Sequence, residues 1–124
     1  MADVTVHPNR ALISSEDVEG VNVYGTDRDK IGQIDHLMID KVSGKVAYAV
    51  LSFGGFLGIG HKHLPIPWSL LKYNVELDAY ELDIADDVLR KAPSSEQSSE
   101  FDFGDRLDEA KLYSYYNVPP YWGF

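Results

Sequence analysis

The chain contains no cysteine. That excludes disulfide staples, thiol nucleophiles and thiolate metal sites together, and leaves the compartment open. Positive charge is also scarce: 11 lysines and arginines face 20 aspartates and glutamates, for a net charge of −9. The imbalance lies in the second half. Residues 1–73 hold eight acids and seven bases, whereas residues 74–124 hold twelve acids and four bases. A nucleic-acid surface needs a basic stripe whose counterions are released on binding. Here the cations are scattered (Arg28, Lys30, Lys41, Lys45, Lys62, Lys72), so direct nucleic-acid binding is not expected. No apolar run approaches the roughly 20 residues needed to span a bilayer, and residues 1–20 lack a charged-then-apolar leader. The expectation is a soluble, cytoplasmic protein without a membrane span.

What is present suits one folded domain. The chain has 124 residues, 44% of them hydrophobic and 12% aromatic, which is enough for a single core. Residues 1–13 read as a flexible arm. Ser14 or Ser15, followed by Glu16 and Asp17, caps a short helical turn before Gly20. Val21 to Tyr24 is a short strand, and Ile31 to Asp40 is the next. In the latter, Ile34, Leu37, Met38 and Ile39 break period two, which predicts a bulge near His36. Val42-Ser43-Gly44 is the hairpin turn that follows, with Gly44 free to take positive φ.

Residues 44–68, GKVAYAVLSFGGFLGIGHKHLPIPW, carry the most information. Val46 to Phe53 is apolar on both faces: Val46, Tyr48 and Val50 point one way, and Ala47, Ala49, Leu51 and Phe53 the other. A solvated antiparallel strand alternates apolar with polar. One face therefore fills a barrel, and the other must be covered by the rest of the chain or by a second chain. A flap with Gly54, Gly55, Gly58 and Gly60 follows, exposing Phe56, Leu57 and Ile59, and then an extended piece with Pro65 and Pro67. Further on, residues 74–84 alternate as a hairpin turning at Asp78-Ala79, with Val75, Leu77, Tyr80, Leu82 and Ile84 inward. Asp86 to Lys91 is a short helix. The polar stretch PSSEQSSE links it to a helix from Asp105 to Tyr116, where Leu107, Ala110, Tyr113 and Tyr116 recur every third residue. Pro119 and Pro120 stop that helix.

Taken in order, these pieces resemble the PRC-barrel family. The matching residues are Val21-Asn22-Val23-Tyr24, Lys30-Ile31-Gly32-Gln33-Ile34, Met38-Ile39-Asp40, Ser43-Gly44-Lys45-Val46, the flap from Phe53 to Gly60, and Pro67-Trp68. Tyr115 to Trp122 looks like the tail of small stand-alone bacterial members. The fold is shared by the cytoplasmic subunit of the photosynthetic reaction centre and by the C-terminal domain of a ribosome maturation factor. The resemblance implies a mostly β protein, a small antiparallel barrel of about six strands with a C-terminal helix and aromatic tail. Its barrel spans 14–92, leaving 93–124 as linker, helix and tail. It also implies assembly or protein contact rather than catalysis, and a ribosome- or RNA-processing accessory role is one alternative.

Candidate chemistry is sparse. His61 and His63 share one strand face at a spacing that zinc sites use, with His36, Asp35 or His7 as the third ligand, so a metal- or ligand-binding barrel is a second alternative. The flap lacks the G-x-x-x-x-G-K-[ST] of a phosphate loop. Asp35-His36 has no serine on a nucleophile elbow. The acids from Asp102 to Glu109 read as a solvated helix face. The expectation is a non-enzymatic module without cofactor that forms a homodimer and meets an unidentified protein partner. Tyr48, Val50, Phe53, Phe56, Leu57, Ile59, Trp68, Tyr116, Tyr121 and Trp122 are its candidate interface residues.

Overall fold

The central ladder joins β2 (Lys30–Ile39) to β3 (Val46–Gly54), and the turn between them sets its register. Asp40 Oδ1 accepts the Val42 and Ser43 N–H groups, each at 2.9 Å, and Gly44 takes φ +77° to close the turn. The sheet belongs to a computed structural model that describes residues 11–54, 61–94 and 101–121. With β1 (Asn22–Tyr24), β4 (His61–Pro67), β5 (Leu71–Asn74) and β6 (Ala79–Leu82), the strands form one curled sheet. Their order is β4-β3-β2-β1-β6-β5, a half-barrel that is antiparallel except between β1 and β6. Pro65 and Pro67 sit in β4, at one end of that order, where an edge strand tolerates missing donors.

The bulge expected near His36 is present: the β2–β3 register shifts between Ile34 and His36. Before it, Ile34 fills the interior; beyond it, Leu37 does, while Met38 and His36 turn outward. Gly32 has a different reason for being glycine. A Cβ there would lie 2.6 Å from the Ser52 carbonyl oxygen and 3.2 Å from the Phe53 ring, so only glycine lets the strands close. Ser14 caps α1 (Ser15–Val18) by accepting the Glu16 N–H, and α2 (Asp86–Arg90) follows β6.

The hairpin expected across residues 74–84 is displaced. β5 begins at Leu71, and Val75 to Asp78 form the turn, leaving Val75 58% exposed rather than inward. Asn74 explains it: its side chain accepts the Leu77 N–H, and Asp78 adopts φ +52° where a glycine would be usual.

Two apolar clusters result. The interior one holds Val23, Ile34, Leu51, Phe53, Leu64 and Leu82 among others, and closes at Leu89 and Ala92. The second lies on the outer face of β3, where Tyr48 and Val50 meet Phe101 and Leu112. Its cover is α3 (Arg106–Tyr116), whose N-cap Asp105 accepts the Asp108 N–H. The three-residue repeat of Leu107, Ala110 and Tyr113 is not the packed stripe: Leu107 is 72% exposed. Glu109, Leu112, Tyr113 and Tyr116 face the sheet instead, at the i, i+3, i+4, i+7 spacing of a helix face. The helix ends at Asn117 in the left-handed region, with the Val118 N–H on the Tyr113 carbonyl, as in a Schellman cap.

Candidate functional site

The β2–β3 turn and the start of α3 face each other across a cleft of about 350 Å³. Its floor is Ala47 and Tyr48; one wall is Met38, Ile39 and Val42; the other carries Arg106 and Tyr121. Chain order does not foreshadow this meeting. The tail crosses β3 because Tyr48 and Val50 leave an apolar surface there, and Phe101, Phe103 and Leu112 supply its complement. The Tyr48 ring meets Phe101 edge-on at 5.9 Å.

Polar contacts fix the docked tail. The Tyr121 hydroxyl donates to Asp40 Oδ2 at 2.6 Å, and Arg106 Nη2 donates to the same oxygen at 2.8 Å. Arg106 Nη1 reaches the Tyr121 oxygen and Glu109 Oε1, both at 3.1 Å. With Oδ1 holding the turn, both Asp40 oxygens are engaged twice. The Tyr121 hydroxyl, the Ser43 N–H and Arg106 hold the Asp40 carboxyl well below the usual carboxylate range, and the same pairing pushes Arg106 up. Deeper in, the Tyr113 hydroxyl lies between Glu109 Oε2 at 2.8 Å and the Ala47 carbonyl oxygen at 3.1 Å; burial, then Glu109, pushes its pKa up. The Tyr48 hydroxyl accepts the Gly104 N–H at 3.3 Å, and burial raises it to about 12.

The candidate interface residues therefore separate. Tyr48, Val50 and Phe53 are buried within this chain. The cause is intramolecular: the tail covers Tyr48 and Val50, and Phe53 points into the barrel interior. Trp68 is half-buried against Tyr80, with ring centroids 5.4 Å apart. Tyr116 touches both clusters, and Tyr121 sits on Asp40. Phe56, Leu57, Ile59 and Trp122 lie outside the described residues, as do His7 and the side chain of His61. His63 is exposed on β4, and Asp35 pairs with His36 at 2.7 Å on the surface. Among the described residues no three histidines or acids gather where they could hold a metal, and no helix is long and apolar enough to cross a membrane. Glu109 is buried rather than part of a solvated acidic face.

Sequence reading missed Asp40, Arg106, Glu109 and Tyr113 as a group. The only local signal was the acid placed before the Gly44 turn; the other members are 66 and more positions away. Comparison with known families matches the PRC-barrel domain to residues 11–89, more than half of the chain. The chain belongs to the PRC-barrel family. No curated protein matches it.

Proposed function

We propose that the chain is a non-enzymatic protein-interaction module that meets its partner at the cleft between the β2–β3 turn and α3. The observation that carries this reading is the rim. Val42 is 97% exposed and Ile39 half exposed, beside a wall presenting Arg106 and Tyr121. Arginine and tyrosine next to apolar anchors are the residue types that dominate protein contacts. The charged groups here are committed to one another: Asp40 has both oxygens engaged twice, so it is poorly placed to take a proton or a metal. Arg106 pairs with two carboxylates, which weakens the RNA-accessory reading.

The test is site-specific photo-crosslinking in cells, with the reactive residue at Val42 and, as a control, at exposed Glu76 in the β5–β6 turn. An adduct from Val42 alone, abolished by Ile39→Glu, supports the reading. Equal adducts from both positions, or none from Val42, would contradict it. The cleft volume also falls within the range of small-molecule pockets. A ligand that protects against thermal unfolding, with no adduct at Val42, would favour that second reading.

A further inference from the structure

We propose that the outer face of β3 is a helix-binding slot, filled in cis by the chain's own tail and in trans by the tail of a second copy. Self-association then goes by exchange of residues 101–121. This goes beyond the cleft reading above and concerns a different surface, the β3 face under the tail. Three observations carry it. First, the interior cluster is built from residues 13–92, and among the described residues Tyr116 is the only one of the tail packed against it. The second cluster, by contrast, exists only between the sheet and the tail. The tail is thus a separable ligand of a sheet whose own interior closes without it.

Second, the contact has the make-up of a specific interface rather than a nonspecific cover. Phe101, Leu112 and Tyr113 supply anchors, and Arg106 and Tyr121 pair with Asp40 across the boundary. Third, the sequence joining the two parts, PSSEQSSE, contributes no large apolar side chain. Every copy carries both slot and helix, so a reciprocal two-fold exchange satisfies both and closes the assembly. The closed monomer dominates when dilute, because a short tether holds the tail at an effective concentration of about millimolar.

A fluorescent peptide of residues 101–121, added to the full chain, tests this by anisotropy. The apparent affinity equals the intrinsic affinity scaled by the fraction of chains whose slot is open. Arg106→Ala in the full chain loosens its own tail but leaves the slot intact, so it should bind the wild-type peptide about fivefold or more tightly than the wild-type chain does. Tyr121→Phe should act in the same direction and serves if Arg106→Ala folds poorly. Asp40→Ala removes the slot's side of the pair and should lack the gain. Absence of binding to both tail variants, equal binding by all four chains, or equal binding of a scrambled peptide would overturn the proposal. Exchange without a Val42 adduct would remove the module reading and keep the slot; an adduct without exchange would do the reverse.

Discussion

The Tyr113 hydroxyl lies 3.1 Å from the backbone carbonyl oxygen of Ala47, 66 positions earlier, and so ties the tail helix to the strand it covers. Beside it, the Tyr116 hydroxyl is buried and has no partner among the described residues. Two tyrosines three positions apart on one helix therefore stand in opposite energetic situations.

Tyr113→Phe should cost about 1–2 kcal/mol, since it deletes a buried donor shared by Glu109 and Ala47. Tyr116→Phe should be neutral or stabilising by up to about 1 kcal/mol, because it removes a buried hydroxyl without a protein partner. Urea unfolding of both variants checks the contrast. A larger loss from Tyr116→Phe than from Tyr113→Phe would mean that the hydroxyl assignments are reversed.

On α3, the packed stripe makes a second contrast. Leu112 is fully buried, so Leu112→Ala should cost about 2–5 kcal/mol. Exposed Leu107→Ala should stay within about 0.5 kcal/mol. Similar losses at both positions would contradict this assignment of the packed face.

Much of the sheet was legible because its signals are local. The bulge near His36 showed as a break in period two, and the Gly44 turn as Val-Ser-Gly between apolar runs. The two-sided apolar character of Val46 to Phe53 announced that a cover was needed; which cover was not legible. Glu109 occupies the first position of the α3 stripe and masks its helical period, so the packed face was invisible to a hydrophobic pattern. The Asp40 cluster joins the turn to residues 66 and 81 positions away, and no spacing rule reaches that far. In the same way, Asn74 and Asp78 moved the β5–β6 turn, because a side-chain hydrogen bond replaced the expected glycine.

Ending the chain at Ala92 should leave the interior cluster intact and expose Tyr48 and Val50. The shortened protein should keep its β-type circular dichroism, unfold at lower urea and bind the dye ANS. An unchanged urea midpoint without dye binding would show that the tail is not the cover.

Acid and alkali act through different groups. Asp40 titrates lower in the folded chain than unfolded, so its contribution is present above about pH 4 and is lost as pH falls below it. Asp40→Asn should flatten this acid limb. Tyr48 is raised from 10.0 to about 12, so its contribution is present below pH 10 and lost as pH climbs toward 12. Urea midpoints between about pH 2 and 12 check both. An acid limb as steep in Asp40→Asn as in the wild type would remove Asp40 from this role.

The most direct measurement of the covered face is a nuclear Overhauser spectrum of the full chain, with isotope-labelled and unlabelled copies mixed. Below about millimolar, the effective concentration of the tethered tail, the Tyr48 ring should show cross-peaks to Phe101, 5.9 Å away between centroids, within single labelled copies. A Tyr48 ring with no cross-peak to any residue beyond 100, or with cross-peaks only between copies, would contradict a tail that covers β3 in cis.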